Sequence, residues 1–235
     1  MSTFLTICND VARESGTFSN RPALSTTVDQ TGRKYDVVEW VKQAYEDIQR
    51  SQRTWRWLIT DFSASLAADT REYTAADFAL ADRFSHWVTR DEGKNLTFSF
   101  YLTATGRAGE QILPFVDYDV FRTRYNMGPE ATQTGQPSCY SIDNQNRIVI
   151  YPIPDDAYTL RGQYYKSPQV LAGNTTEPEM PEQFHRLIQW DALRLLGTFD
   201  EAFNQIQLWE RKSMTLMSHL ISDQAPAIRR ARPLA

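Results

Sequence analysis

The apolar pattern changes from helical to strand spacing within residues 36–58, which read DVVEWVKQAYEDIQRSQRTWRWL. Up to Ile48, apolar residues recur every three or four positions and polar residues take the opposite face, which predicts an amphipathic helix starting near Asp36. Trp55 and Trp57 then stand two positions apart, as on one face of an extended segment. The stretch therefore predicts that a helix gives way to a sheet here, with the two indole rings closing the core.

Helical spacing also occurs at both ends of the chain. A short helix is predicted from Thr3 to a stop at Gly16. A third helix is predicted from Pro181, with Gly197 as its C-terminal stop. A fourth is predicted to start after Asp200 as its cap. The apolar side predicted for this fourth helix comprises Phe203, Ile206, Met214, Met217, Leu220 and Ile221.

Strand spacing dominates between residues 62 and 171, where turn residues separate short runs with a period of two. The predicted strands span 84–89, 96–103, 140–142, 147–151 and 158–165. The first two are predicted to form one hairpin and the next two a second. Asp117 is predicted to cap a short helix that interrupts the strands and carries Tyr118, Phe121 and Tyr125 on one side.

These patterns predict an α+β protein. The N- and C-terminal segments, residues 1–58 and 181–222, are expected to form a four-helix bundle. Residues 59–180 are expected to form a central antiparallel β-rich insertion, and residues 223–235 an extended C-terminal arm.

The composition is that of a mildly acidic globular protein of 235 residues, with 25 Lys plus Arg against 29 Asp plus Glu and a net charge of −4. This balance argues against a protein that binds nucleic acid through bulk positive charge. No run approaches the roughly 18 apolar residues of a membrane span, so we expect no membrane partner. Cys8 and Cys139 stand far apart and are expected to be reduced, packed thiols.

The sequence lacks the common nucleotide-binding, hydrolase and zinc-protease signatures. Asp117 with Asp119, and Asp155 with Asp156, could hold a hard cation or form a catalytic acid pair. Their neighbours favour a helix cap and a hairpin turn instead. We therefore expect no enzyme activity, no cofactor and no metal, and retain a hydrolase built on these carboxylates only as an alternative.

The last residues of the chain contain a cluster of arginines, Arg229, Arg230 and Arg232, between prolines that favour an extended backbone. Two interpretations are open. One is a solvated, disordered tail. The other is a peptide that becomes ordered on binding an acidic groove of a partner, with Ile228 and Leu234 as apolar anchors.

Three stretches show a likeness to a known family: TFLTICNDVARESG at residues 3–16, the segment from Val37 through Trp55-Arg56-Trp57-Leu58, and PEQFHRLI at residues 181–188. The likeness follows this order and extends over most of the chain. The chain resembles the head-to-tail adaptor (connector) proteins of tailed bacteriophages, including the tail tubular or gatekeeper proteins of short-tailed phages.

The resemblance implies a structural protein of the virion, made in the host cytoplasm and located at the head–tail junction. About twelve copies would form a ring between the portal protein and the tail or nozzle protein. Genomic DNA would pass through the ring without sequence-specific binding. In related adaptors the C-terminal arm reaches the portal, which makes Ile228, Arg229, Arg230 and Arg232 the expected portal-binding residues here.

A different class of function stays open at this point. Trp55, Trp57, Trp87 and Tyr164 could serve as stacking surfaces in a carbohydrate- or receptor-binding module of the virion. Core packing is the competing interpretation for Trp55 and Trp57, and it is favoured because two rings on one face of an extended segment can close the core where helix gives way to sheet.

Overall fold

The computed structural model describes residues 2–16, 24–52 and 55–224. The chain divides into two compact units: a helical unit, formed by the described residues of Met1–Leu58 and Pro168–Ala235, and a sheet unit, Ile59–Ser167. Helices and mainly antiparallel sheets make the protein α+β, as the sequence predicts. Among the described residues, no helix is long and apolar enough to cross a membrane.

The elements alternate between helical ends and a strand-rich middle. The α-helices are α1 (Phe4–Glu14), α2 (Arg33–Arg50), α3 (Tyr118–Tyr125), α4 (His185–Phe199) and α5 (Phe203–Gln224). The strands are β1 (Ile59–Leu66), β2 (Glu72–Tyr73), β3 (Phe84–Val88), β4 (Ser99–Leu102), β5 (Gln111–Ile112), β6 (Thr134–Gly135), β7 (Cys139–Ile142), β8 (Ile148–Tyr151), β9 (Ile153–Pro154) and β10 (Tyr158–Lys166). Short 3₁₀ helices span Arg56–Leu58, Gly106–Gly109, Gly128–Thr132 and Glu182–Phe184.

Helix α4 is the central element of the helical unit, because α1, α2 and α5 all pack against it. Helix α1 starts as predicted, since the Thr3 hydroxyl accepts a hydrogen bond from the Thr6 backbone N–H. Helix α2 begins three residues earlier than predicted. Gly32 turns the chain with a φ of 57° just before it, and Asp36 then lies in the first turn.

Gly197 lies inside α4, which continues to Phe199, so the predicted stop at Gly197 is wrong. The glycine permits a close crossing of α5. A Cβ atom at this position would lie 2.7 Å from Cζ3 of Trp209 and 2.9 Å from Cγ1 of Ile206. The residue is therefore explained by helix packing rather than by helix termination.

Asp200 was predicted to cap the fourth helix of this unit, and this prediction is wrong. Asp200 follows the last residue of α4, and α5 begins only at Phe203. The Asp200 carboxylate instead forms an ion pair with Arg33. The Arg33 guanidinium also lies 5.3 Å from the ring centroid of Trp40. These contacts join the start of α2 to the end of α4.

Residues 168–180 pack with the helical unit, although the sequence analysis assigned them to the β-rich insertion. The buried amide of Gln49 donates to the carbonyl of Gln169 at 3.0 Å and accepts from its N–H at 2.7 Å. The side-chain oxygen of Asn174 accepts from the backbone N–H of Thr27 at 2.6 Å and from its hydroxyl at 2.8 Å. Such contacts between distant residues leave no periodic signal in the sequence.

Strand β10 is the centre of the main sheet. It pairs antiparallel with β1 over all of β1, and on its other side with β4 and then β3. Alternate residues from Tyr158 to Tyr164 are buried, which confirms the predicted period of two. The hairpin predicted from residues 84–89 and 96–103 is confirmed only next to its turn, where Arg90 and Leu96 form an antiparallel bridge and the N–H of Thr97 donates to the carbonyl of Thr89 at 3.4 Å. Strands β3 and β4 themselves both pair with β10.

The second predicted hairpin is confirmed, because β7 and β8 pair antiparallel. Asp143 organises its turn by accepting hydrogen bonds from the N–H groups of Gln145 at 2.9 Å and Arg147 at 2.8 Å. Strand β2 pairs with the other side of β8 and completes a three-stranded sheet.

Candidate interaction surfaces

The predicted portal-binding residues Ile228, Arg229, Arg230 and Arg232 lie outside the described residues. Helix α5 is the last described element, and it ends at Gln224. The predicted site therefore stays a prediction.

The aromatic residues considered for carbohydrate stacking are core residues. Trp55, Trp87 and Tyr164 are all buried, and only 1% of Trp55 is exposed. Trp57 is half-buried and stacks on Trp55 with ring centroids 4.5 Å apart. None of the three buried rings presents a face to a sugar, so their positions agree with the packing interpretation.

The two pairs of carboxylates lie at the start of a helix and in a turn, the positions that their neighbours in the sequence predict. Asp117 precedes α3, although its side chain makes no capping hydrogen bond, so that part of the prediction is wrong. Asp155 accepts from the Tyr158 hydroxyl at 2.7 Å and Asp156 from the N–H of Ala157 at 2.7 Å, as in a turn. Among the described residues, no group of three or more His, Cys, Asp or Glu could hold a metal ion.

Both cysteines are free and buried. Burial raises the pKa of the Cys8 thiol to about 12, with the charge of Lys42 opposing the shift. A thiol with so high a pKa is almost entirely protonated at neutral pH and is a poor nucleophile. Cys8 therefore fits the predicted role of a packing residue.

Helix α5 exposes much of its apolar surface. Only Trp209, Ser213 and Leu220 are buried among its 22 residues. Phe203 and Met214 are 69% and 63% exposed. The predicted apolar side of this helix is thus only partly its buried face: Leu220 is buried and Ile206 and Met217 are half-buried, whereas the other three members are exposed.

Two contacts with α4 explain why the buried face of α5 differs from the prediction. The Ser213 hydroxyl donates to Oδ1 of Asp191 at 2.7 Å, in a buried position between the helices. Trp209 packs over Gly197, where no side chain keeps the two helices apart. A serine that faces α4 interrupts the hydrophobic periodicity of the buried face. Apolar spacing alone therefore predicts a buried face that is centred nearer to Met214.

We call Phe203, Met214 and Ile221 the apolar stripe. They are separated by eleven and seven positions, which places them on one face of an α-helix. All three are exposed large hydrophobic residues. Large apolar side chains exposed together on one face of a helix often mark a binding surface, so the stripe is a candidate interface.

A second surface lies on the other flank of α5, where it forms a cavity of about 370 Å³ with α4. We call it the Trp190 groove; it is lined by Arg186, Trp190, Arg211, Lys212, Thr215 and Leu216. The ammonium of Lys212 lies 4.0 Å from the ring centroid of Trp190. None of the three cations forms an ion pair with a described carboxylate.

The Trp190 groove was not predicted, because its residues come from two helices. Arg186 and Trp190 are four positions apart on α4, and Lys212 lies on α5. Spacing within one helix can show that Arg186 and Trp190 are neighbours. It cannot show that Lys212 approaches them, since that depends on how α4 and α5 pack.

A model of the SU10 adaptor protein family matches residues 2–234. The chain belongs to the SU10 adaptor protein family. This confirms the resemblance to phage head-to-tail adaptors, and the adaptor is accordingly a structural protein of a bacteriophage virion. Comparison of the adaptor with curated proteins gives no match.

Proposed function

We propose that this adaptor forms a ring of about twelve copies between the portal and the tail of its phage, and that genomic DNA passes through the ring. Membership of the adaptor family supports association with portal and tail. Helices α1, α2, α4 and α5 act as one bundle in this ring, and the residues after Gln224 form an arm that binds the portal.

The observation on which the ring depends is the exposed apolar stripe of α5. Full burial of one large apolar side chain contributes about 1.5–3 kcal/mol, so covering Phe203, Met214 and Ile221 supplies a substantial part of the energy of a stable contact. When two different faces of identical copies bind each other, the copies form a closed ring if the rotation from one copy to the next divides a full turn evenly. Permanent contacts of this kind typically bury 2,000 Å² or more.

The charge of the adaptor is compatible with a DNA channel. The net charge of −4 gives no general attraction for phosphates, so DNA can move through the ring without being held on its wall. Electrostatic binding of DNA requires many lysine and arginine contacts with phosphates.

We expect Met214→Asp to weaken assembly of the adaptor on the portal by at least about tenfold. The substitution places a carboxylate within the apolar stripe, where its desolvation opposes burial. The measurement is the number of adaptor copies bound per portal as a function of adaptor concentration, by mass analysis and electron microscopy. Including the portal detects assembly that needs it as a template.

Ile112→Asp is the matched control, because Ile112 is 64% exposed in β5, outside α5. It adds the same charge at a site of similar exposure. Circular dichroism should show that both variants are folded, since neither side chain is buried. Assembly of Met214→Asp at the wild-type concentration would contradict the assignment of the stripe to the ring.

We expect removal of residues 226–235 to leave the free energy of unfolding within about 0.5 kcal/mol of wild type, because α5 ends at Gln224, before the deletion. Attachment to the portal should weaken by at least about tenfold. Replacing Arg229, Arg230 and Arg232 together by Glu keeps the length of the arm and tests its charge alone. Undiminished attachment of both variants would show that the arm does not bind the portal.

A further inference from the structure

We propose that the apolar stripe of one adaptor copy, together with Glu210, docks into the Trp190 groove of the next copy. This inference rests on the proposed ring and names the two surfaces that meet in it. The occupant of the Trp190 groove is thus a second copy of this chain. Three features support the pairing: the position of the surfaces on α5, their charges and their shape.

The two surfaces lie on opposite flanks of the same helix. An α-helix turns by about 100° per residue, so Glu210 shares the face of Phe203, Met214 and Ile221. Trp209, Ser213 and Leu220 point toward α4. Lys212 and Leu216 lie on the far side of that buried row, in the Trp190 groove. Each copy therefore presents two different surfaces in two directions, as a ring of identical subunits requires.

The charges of the two surfaces are complementary. Glu210 is exposed and makes no hydrogen bond or ion pair with a described residue. The groove places Arg186, Arg211 and Lys212 together, and no described carboxylate pairs with them. In an acidic protein, this local excess of positive charge is the feature that an incoming carboxylate would neutralise.

The shapes and apolar surfaces also agree. The stripe is convex, since it is the side of a helix, whereas the groove is a cavity of about 370 Å³. Trp190 and Leu216 contribute apolar surface between the cations. Leu208 extends this surface, because it is 46% exposed and lies one turn before Lys212. Tryptophan and arginine are the residues most often found at the energetic centre of interfaces.

Two other occupants fit less well. The C-terminal segment, residues 225–235, contains three arginines and no acidic residue, so it would be repelled by the groove. DNA phosphates would satisfy the cations but would leave Trp190, Leu216 and Leu208 without an apolar partner. The stripe with Glu210 provides both kinds of contact.

The test is a charge exchange. We expect Glu210→Lys alone and Lys212→Glu alone each to weaken assembly on the portal by at least about tenfold, because each places like charges opposite one another. A one-to-one mixture of the two variants should assemble within about threefold of wild type, since positions 210 and 212 then carry opposite charges at every contact of a ring in which the two variants alternate. One chain carrying both substitutions should do the same.

Arg122→Glu is the control for charge reversal, since Arg122 is an exposed cation on α3 in the sheet unit. It should assemble like wild type. If the single variants weaken assembly but neither the mixture nor the double variant restores it, the two surfaces do not meet. If Lys212→Glu assembles normally and only loses retention of a double-stranded DNA fragment, the groove binds phosphates. Either result overturns the proposal.

The failure of this pairing can be distinguished from failure of the proposed function. If wild type and both single variants all form rings on the portal at the same concentration, the ring stands and the pairing is refuted. If wild-type adaptor forms no ring with portal at all, the proposed function itself fails.

Discussion

Trp55→Ala is expected to lower the free energy of unfolding by about 3–5 kcal/mol, the range for truncation of a fully buried tryptophan. The ring is 1% exposed and stacks on Trp57 at 4.5 Å between centroids. Its Nε1 donates to the carbonyl of Ile48 at 3.1 Å, which ties the residues after α2 to the last turn of that helix. Alanine removes both the packing and this hydrogen bond.

Two further variants separate the contributions to this loss. Trp55→Phe keeps most of the ring but lacks the N–H donor, so the expected loss is about 1–2 kcal/mol. Trp190→Ala is the matched tryptophan control: its ring is half-buried beside Lys212, and about 1 kcal/mol is expected. Urea denaturation measures all three. A loss below about 1 kcal/mol for Trp55→Ala would show that this ring is not packed as described.

Phe62→Ala is expected to have a similar effect on the sheet unit, about 3–5 kcal/mol. Phe62 lies at the centre of an aromatic cluster, with ring centroids 5.1 Å from Trp87, 5.6 Å from Phe98 and 5.7 Å from Phe78. Its cross-strand partner on β10 is Gly162, which has no side chain to fill the space left by the truncation. The cavity therefore cannot close from the opposite strand.

A double-mutant cycle with Gly162→Ala sharpens this test. A Cβ atom at Gly162 would lie 2.9 Å from Cε1 of Phe62 and 3.0 Å from Cζ of Phe98. We expect Gly162→Ala to destabilise the wild type by about 1–3 kcal/mol, and to cost clearly less when Phe62 is already alanine. Additive losses, measured by urea denaturation, would show that Phe62 does not occupy the space above Gly162.

Predictions from the sequence were most accurate where the structure depends on residues that are neighbours in the chain. The alternation in β10, the turn at Asp143 and the buried side of α3 around Phe121 were all predicted correctly. Each depends on side chains a few positions apart, whose spacing the sequence displays directly. The stretches shared with phage adaptors also led to the correct family.

The errors concern contacts between segments that are distant in the chain. Gly197 was interpreted as a helix stop because a glycine near the end of an apolar pattern usually is one. The structure assigns it to the crossing with Trp209. Similarly, β3 and β4 were predicted to pair with each other because they are adjacent in sequence, whereas both pair with β10.

The amino-acid sequence by itself determined where the five described α-helices lie, the positions of β3, β4, β7, β8 and β10, and the family to which the chain belongs. It did not predict β1, which the structure pairs with β10 along its whole length. Only the tertiary structure decided which face of α5 meets α4. That choice depends on the hydrogen bond from Ser213 to Asp191 and on the space above Gly197, and both arise only when two helices come together. The choice leaves Met214 exposed on one flank and opens the Trp190 groove on the other, because packing one face of a helix sets the direction of every other side chain on it.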